Sequence, residues 1–255
     1  MTRIRHFITF LVIHHFSMLK FEEFKIISII KGVIMKKYKY LAFLIVPVQI
    51  VLQLIIVSWN VNHENLFWLT YLGVFAPTLL CFCISLYFFK GILAKDKVNL
   101  KTKWWKLLII GVAGTFVLQI ILLIGSLAAG EITSFNPANA TLLQLLFILV
   151  CSLSALLTAV TEELYFRYLF FSISSKKSIR IIILFISSLL FGMAHYWSTN
   201  SIEQLVPYFI AGLFLGLIYL FSKNIWYTVI IHVINNFYAV VLPVIILIIG
   251  YFTKA

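Results

Sequence analysis

The sequence predicts an all-α protein, a polytopic bundle of seven or eight membrane-spanning helices. Hydrophobic residues make up 63% of the 255 residues and charged residues only 11%, whereas a soluble domain is about half apolar and about a quarter charged. Long apolar segments recur from residue 40 onward, and the lysines and arginines are concentrated in alternate connections between them. The length suits one compact bundle and leaves no room for a second, soluble domain.

The first 34 residues differ from the rest of the chain. Their apolar run, residues 6–19, is interrupted by two histidines and is too short to span a membrane comfortably. From Met35 the chain reads Met-Lys-Lys-Tyr-Lys-Tyr and then becomes apolar, as expected for the start of a bacterial inner-membrane protein. We therefore predict that residues 1–34 are an extension before a native start at Met35, and that residues 35–255 form the bundle. The alternative is that the extension is an interfacial amphipathic helix.

Seven apolar segments follow, and we predict a helix for each. The first six can cross a hydrocarbon core of ~30 Å, although the fifth only just reaches that length. The seventh contains Pro243, where it either bends or divides into two helices, and the division would give eight spans. In chain order the predicted spans are Tyr40–Trp59, Leu66–Phe89, Trp104–Ala129, Leu142–Phe171, Ile181–Trp197, Val206–Phe221 and Trp226–Phe252.

Small residues within the spans have structural interpretations. The sixth span contains Gly212-Leu-Phe-Leu-Gly216, a GxxxG pattern that we interpret as close packing against a neighbouring helix of the same bundle rather than as a dimer face. The sequence leaves the oligomeric state open. The three cysteines lie in apolar spans and form no CxxC pair, so we assign them no redox or metal role.

Basic residues are distributed unevenly among the connections. The segment before the first span and every second connection after it contain lysine or arginine, whereas the connections near residues 60–65, 130–141 and 198–205 contain neither. By the positive-inside rule, the N-terminus and the basic connections are predicted to be cytoplasmic. The net charge of +12 is then a topology signal, and no nucleic-acid partner is predicted.

The fourth span contains the unusual run Thr161-Glu162-Glu163-Leu164-Tyr165-Phe166-Arg167. Each charged side chain near the bilayer centre costs roughly 2.5 to 3.5 kcal/mol, so such residues pair, face a wet cavity or take part in chemistry. Glu163 and Arg167 are four residues apart and can pair on one helix face. Glu162 points about 100° away from Glu163 and lacks this pairing. One carboxylate is thus neutralised by Arg167, and the other is left for another role.

Two later spans carry further polar residues at broadly similar predicted depth. His195 follows Phe191 by one helical turn, and His232 and Asn236 share a face of the seventh span. A carboxylate and an imidazole on one water molecule can remove its proton, and a second imidazole and a carboxamide can stabilise an oxyanion. The same residue types could instead bind zinc with an open position for water. Neither Gly-x-Ser-x-Gly nor His-Glu-x-x-His is present. The pattern therefore indicates a water-activating hydrolase without naming the bond.

These residues form three ordered motifs that resemble those of a known family. The chain resembles the CPBP family (CAAX proteases and bacteriocin-processing enzymes, also called Abi) over about residues 142–243, a family that includes the type II CAAX prenyl endopeptidases. The matching motifs are Glu162-Glu163-x-x-x-Arg167, Phe191-x-x-x-His195 and His232-x-x-x-Asn236.

The resemblance implies a role for each motif residue. Glu162 would activate water with His195 as its partner, and His232 and Asn236 would stabilise the oxyanion. Supporting roles would belong to Glu163, Arg167 and Phe191. If the site uses zinc, its ligands would be Glu162, His195 and His232, but a metal-free glutamate mechanism is equally compatible with these residues.

The function expected from this resemblance is intramembrane cleavage of a peptide or a lipid-modified peptide, in bacteriocin processing or self-immunity. The main alternative is a non-catalytic immunity or scaffold protein of the membrane, in which the same residues stabilise the bundle or bind a partner. A proton-coupled transporter is a third reading, because intramembrane Glu and His also mark proton relays. No inverted repeat or pair of broken half-helices supports the transporter.

Overall fold

The computed structural model describes residues 39–63, 66–100, 102–129, 140–196, 199 and 201–253. These residues are helical throughout, apart from short connections, and contain no strand, which confirms the all-α class. Residues from Phe43 to Ala255 form one compact unit. The predicted extension, residues 1–34, and the predicted start at Met35 lie outside the described residues.

The described chain contains nine α-helices together with short π-helical and 3-10 segments. The π-helical segment Glu163–Leu169 continues α5, and a second one, Phe237–Val241, joins α8 to α9. The 3-10 helices Lys39–Leu44 and Glu203–Leu205 precede α1 and α7. The α-helices are α1 (Ile45–His63), α2 (Phe67–Val98), α3 (Trp104–Ala129), α4 (Leu142–Ser152), α5 (Ser154–Glu162), α6 (Lys177–Met193), α7 (Val206–Ser222), α8 (Ile225–Asn236) and α9 (Leu242–Thr253).

The helix lengths and the exposed apolar surface are those of a multi-pass membrane protein. Six helical runs among the described residues are long and apolar enough to cross a membrane. On α3, for example, the side chains of Ile109, Phe116 and Ile124 are all more than half exposed, as expected for a surface that faces lipid. The remaining predicted span, the fifth, corresponds to α6, whose 17 residues extend about 26 Å at 1.5 Å per residue, slightly less than the ~30 Å hydrocarbon core.

The last segment is one continuous helical run, Ile225–Thr253, rather than two separate helices. Pro243 has no N–H to donate, and its ring crowds the carbonyl group four residues earlier, at Ala239. The π-helical segment Phe237–Val241 lies immediately before it. Proline therefore perturbs the hydrogen-bonding pattern of this helix without ending it.

Two boundaries differ from those predicted. Helix α2 continues beyond Phe89 to Val98, so much of the predicted basic loop is helical. Its last turn is held by Asp96, which is buried and whose Oδ2 accepts a hydrogen bond of 2.9 Å from the backbone N–H of Ile225. This bond also satisfies an N–H group at the start of α8 that has no partner within its own helix.

Helix α6 is shifted toward the N-terminus and ends at Met193, so His195 lies in the turn that follows it.

The central helices carry the motifs. Helix α5 contacts α2 and α8, and α8 in turn contacts α2, α3 and α7. Helices α6 and α7 pack closely, because a Cβ atom added to Gly212 would lie 3.0 Å from the Cα atom of Ser188. A Cβ atom on Gly216 would overlap the side chain of Leu184 on the same neighbouring helix. The interpretation of the GxxxG pattern as packing within the bundle is thus confirmed.

Candidate active site

The first motif lies where α5 changes its helical pitch. Glu162 is the last residue of α5, and Glu163 and Arg167 lie in the π-helical segment that follows. The second π-helical segment begins directly after Asn236. Single π turns inside α-helices are frequent at functional sites, because the extra residue in the turn redirects the side chains around it. Pro243 is a sequence signal for the second segment, but nothing in the sequence marks the first.

Glu163 and Arg167 form the ion pair that their spacing predicted. Glu163 Oε2 lies 3.2 Å from Arg167 Nε, and both side chains are fully buried. The guanidinium group also donates a hydrogen bond of 3.4 Å from Nη2 to the carbonyl oxygen of Gly212. It lies over the ring of Phe191, 4.5 Å from the ring centroid. Arg167 therefore links the π-helical segment to both α6 and α7.

His232 lies between the two adjacent carboxylates. Its Nδ1 is 2.9 Å from Glu163 Oε1, and its Nε2 is 3.7 Å from Glu162 Oε2. Because an ionised carboxylate only accepts hydrogen bonds, Nδ1 carries a hydrogen in this arrangement. Glu162 has no charged partner on its own helix, and the structure places the ring of His232 from α8 beside it, beyond hydrogen-bond distance.

Glu162, His195 and Asn236 line one cavity of about 610 Å³. Residues of α1 and α2 also line it, including the amide side chains of Gln49 and Gln53. His232, the remaining residue of the predicted catalytic set, is buried and is not among the residues that line the cavity. It lies instead next to Glu162. The structure thus brings all four residues together but gives His232 a different position from the other three.

The imidazole of His195 is held in a defined orientation. Its Nδ1 lies 2.8 Å from the carbonyl oxygen of Phe191. A carbonyl group only accepts hydrogen bonds, so Nδ1 carries the hydrogen of the neutral ring and Nε2 is its basic nitrogen. The ring stacks on Tyr208 of α7, with centroids 4.2 Å apart and an interplanar angle of 17°. This geometry suits a histidine that accepts a proton or a hydrogen bond through Nε2.

Phe191 packs at the junction of the three motifs. It is buried, and its ring centroid lies 4.9 Å from that of His195 and 5.7 Å from that of His232. With the guanidinium of Arg167 over its ring, it contacts one residue of each motif. Its contribution is therefore to fix the spacing of these polar side chains.

Asn236 belongs to a chain of amide side chains. Its Nδ2 donates to the carbonyl oxygen of Ala155 at 2.9 Å, and its Oδ1 accepts from Asn235 Nδ2 at 3.4 Å. Asn235 in turn accepts a 2.7 Å hydrogen bond from Gln119 on α3. An amide nitrogen has two hydrogens, so Asn236 retains a second donor beside the one given to Ala155.

Sequence reasoning missed the amide residues that support or face the site: Gln49, Gln53, Gln119 and Asn235. Each is a polar side chain inside an otherwise apolar span, which is in itself a signal for interhelical hydrogen bonding. The sequence could not indicate which partner each one has, because the partners lie on other helices.

The possible zinc ligands do not form a metal site in this arrangement. In the part of the chain that the structure describes, no three His, Cys, Asp or Glu side chains are placed to hold one metal ion. Glu162, His195 and His232 are therefore not arranged as the three protein ligands that a catalytic zinc ion normally has.

Comparison with known proteins identifies the segment that contains the motifs. Residues 142–238 match the family model described as Type II CAAX prenyl endopeptidase Rce1-like. All seven predicted site residues lie within the matched segment, which extends from α4 through α8. Neither the comparison with curated proteins nor the one with solved structures found a match. Residues 142–238 of this multi-pass membrane protein are thus similar to the Rce1-like type II CAAX prenyl endopeptidases.

Proposed function

We propose that the protein is an endopeptidase that hydrolyses a peptide bond within the membrane, using a water molecule activated by Glu162 and His195. The observation that carries this proposal is the cavity that Glu162, His195 and Asn236 line together. The family match supports the protease class. A carboxylate and a basic imidazole nitrogen at one cavity wall provide a general base and a second acceptor for the same water molecule.

In the proposed reaction, water is bound by Glu162 and by Nε2 of His195. Glu162 takes a proton from the water as its oxygen attacks the scissile carbonyl carbon. The oxyanion that forms accepts a hydrogen bond from the second Nδ2 hydrogen of Asn236, the type of contact that stabilises such intermediates. Glu162 then gives the proton to the amide nitrogen, the C–N bond breaks, and a carboxylic acid and an amine leave the site.

For His232, the geometry supports a positioning role rather than contact with the oxyanion. Both ring nitrogens face carboxylates of the first motif, at 2.9 Å and 3.7 Å. In this role Glu163 fixes the ring of His232, and the ring borders Glu162 and limits the positions that its carboxylate can take. The arrangement resembles the orientation of a catalytic base by a third group, which is common in hydrolases.

The surroundings of the cavity favour a substrate with an apolar group near the scissile bond. A second pocket of about 230 Å³, lined mainly by apolar side chains, shares Val46, Ile50 and Ala194 with the site cavity. Apolar clefts of this kind accept hydrophobic side chains or lipid chains. We propose a peptide or lipid-modified peptide as substrate, with a prenylated CAAX peptide and a bacteriocin or its leader as the two classes to test.

The test compares the wild-type protein with Glu162→Gln in detergent micelles. The probes are a fluorescence-quenched farnesylated CAAX peptide and an unprenylated apolar peptide. Glutamine has nearly the same shape as glutamate but cannot take a proton, so we expect the cleavage rate to fall by about 10²–10⁴-fold. The thermal unfolding midpoint should remain close to that of the wild type.

Two further arms complete this experiment. Because the proposed mechanism uses side chains alone, we expect cleavage to continue in the presence of the metal chelator 1,10-phenanthroline. If the chelator abolishes cleavage and added zinc restores it, the metal-free mechanism is wrong and a zinc mechanism takes its place. A Glu162→Gln protein that keeps full biological activity at equal membrane abundance would favour the immunity or scaffold alternative instead.

A further inference from the structure

Part of the cavity that Glu162 lines is built by residues outside the segment that matches the family model. Gln49 and Gln53 of α1 both line the cavity, and they are four residues apart and therefore on one helix face. Between Ile45 and Val57 they are the only polar residues of α1. A primary amide in an apolar span requires hydrogen-bond partners, because its burial without them costs several kcal/mol.

Only part of each amide is used within the protein. Gln49 Nε2 donates to Thr78 Oγ1 at 3.2 Å, and Gln53 Nε2 donates to the same hydroxyl at 3.1 Å and to the carbonyl oxygen of Val74 at 3.2 Å. The Thr78 hydroxyl gives its one hydrogen to the carbonyl oxygen of Val74 at 2.8 Å. It can therefore only accept from the two glutamines.

This bonding pattern determines the orientation of both amides. Their nitrogen atoms face Thr78 on α2, because an amide oxygen could not bond to a hydroxyl oxygen that only accepts. Their Oε1 atoms accept no hydrogen bond from the residues that the structure describes. Two carbonyl acceptors, from residues one helical turn apart, thus remain in the cavity that the proposed catalytic residues also line.

The spacing of the two glutamines along α1 is close to the repeat of an extended peptide. Residues four apart on a helix are separated by about 6 Å along the axis, at 1.5 Å per residue. In an extended chain, the N–H groups on one edge recur every second residue, about 6.6–6.8 Å apart. A carbonyl Oε1 atom accepts a hydrogen bond from an N–H donor and cannot bond to an ionised carboxylate at the same position.

We propose that Gln49 and Gln53 are substrate-binding residues, whose Oε1 atoms accept hydrogen bonds from alternate backbone N–H groups of an extended substrate peptide. The peptide then lies between α1 and the catalytic wall, with its scissile carbonyl group toward Glu162 and Asn236. This inference rests on the proposed peptidase function and adds to it the way in which the substrate is held.

The first measurement is the effect of Gln49→Leu and Gln53→Leu on cleavage of the quenched farnesylated CAAX peptide. Each variant loses one neutral hydrogen bond, typically 0.5–1.5 kcal/mol, so we expect KM to rise about two- to tenfold with kcat nearly unchanged. Ser58→Val, which removes a hydroxyl from the exposed side of α1, is the matched control and should leave both constants unchanged. An unchanged KM in both glutamine variants would contradict the proposal.

The decisive measurement pairs these variants with substrates N-methylated at one amide at a time. N-methylation at the contacted amide should raise KM in the wild type and cause no further rise in Gln53→Leu or Gln49→Leu. The two changes remove the donor and the acceptor of the same hydrogen bond, so their effects on KM should not add. If the glutamines only tether α1 to α2, every N-methyl penalty will be the same in the wild type and the variants, and the proposal is overturned.

The same peptides are also tested for binding to the Glu162→Gln protein by fluorescence anisotropy, with and without Gln53→Leu. If the wild type cleaves the peptides but the N-methyl and glutamine effects are independent, the peptidase proposal stands and the proposed role of Gln49 and Gln53 is wrong. If the two effects are coupled in binding but the wild type cleaves none of the peptides, the peptidase proposal is wrong and the peptide-binding site stands. Absence of both binding and cleavage overturns both inferences.

Discussion

At the scale of single residues, Glu163, Arg167 and His232 form a compensated group of buried polar side chains. Glu163 lies 3.2 Å from Arg167 Nε and 2.9 Å from His232 Nδ1. Removal of a charge from water costs several kcal/mol unless partners replace the lost solvation. Glu163 therefore links the π-helical segment to α8, and its two partners depend on it.

Arg167→Ala should destabilise the fold and reduce activity together. The substitution leaves Glu163 without its cationic partner, and the loss of one member of a buried pair typically costs on the order of 3–5 kcal/mol. Thermal unfolding of the purified variant, together with its membrane abundance, measures the effect. Lys106→Ala, at an exposed position, is the control and should leave stability within about 0.5 kcal/mol of the wild type.

The expected effect of Arg167→Ala differs from that of Glu162→Gln, which should abolish cleavage but leave the fold intact. Arg167→Lys should lie between wild type and Arg167→Ala, because lysine restores the charge without the planar group that reaches both Glu163 and Gly212. Wild-type stability in Arg167→Ala would show that the pair contributes nothing to the fold.

At the scale of helices, the contact between α6 and α7 positions the second motif. Gly212 allows the backbone of α7 to approach Ser188 on α6, and its carbonyl oxygen accepts the hydrogen bond from Arg167. Helix α6 carries Phe191 and is followed by His195, whose ring stacks on Tyr208 of α7. A change in the distance between these helices would therefore move the imidazole that lines the cavity.

Gly212→Ala tests this contact, and Gly91→Ala is a matched control. A Cβ atom at Gly212 would lie 3.0 Å from Ser188 Cα, whereas one at Gly91 of α2 has nothing within 4 Å. We expect a loss of about 1–3 kcal/mol for Gly212→Ala from overpacking, and a gain of up to about 1 kcal/mol for Gly91→Ala from helix propensity. Equal unfolding midpoints for the two variants would mean that the helices separate at little cost.

At the scale of the whole molecule, the proposed orientation places the N-terminus and the basic connections in the cytoplasm. Lys103 and Lys176 represent the basic side, and Glu203, at the start of the run that contains α7, represents the other. Glu131, which the same rule assigns to the side of Glu203, lies outside the described residues. This orientation in the inner membrane is our proposal from the distribution of charge.

Cysteine labelling measures the orientation directly. The three native cysteines, one of them exposed, are first replaced by alanine, and single cysteines are introduced at Lys103, Lys176 and Glu203. In intact cells, a membrane-impermeant maleimide should label Glu203→Cys and neither lysine variant, and in inverted vesicles the pattern should reverse. Labelling of Lys176→Cys and Glu203→Cys from one side would contradict the assignment.

The sequence by itself determined the features that depend on local spacing and on composition. The apolar segments indicated an all-α membrane bundle, because a segment of sufficient length and hydropathy is stable as a helix in lipid. The pairing of Glu163 with Arg167 followed from their separation of four residues, since one helical turn brings them to the same face. The ordered motifs were enough to indicate the family that the comparison then supported.

Only the tertiary structure decided how these parts meet. The placement of His232 between two carboxylates, and of Gln49 and Gln53 in the same cavity as Glu162, depends on how far each helix is rotated and tilted against its neighbours. That rotation is set by close contacts such as Gly212 on Ser188, between residues distant in the sequence. Hydrophobic periodicity cannot indicate it, because a helix surrounded by lipid is apolar on its outer face as well as toward the bundle.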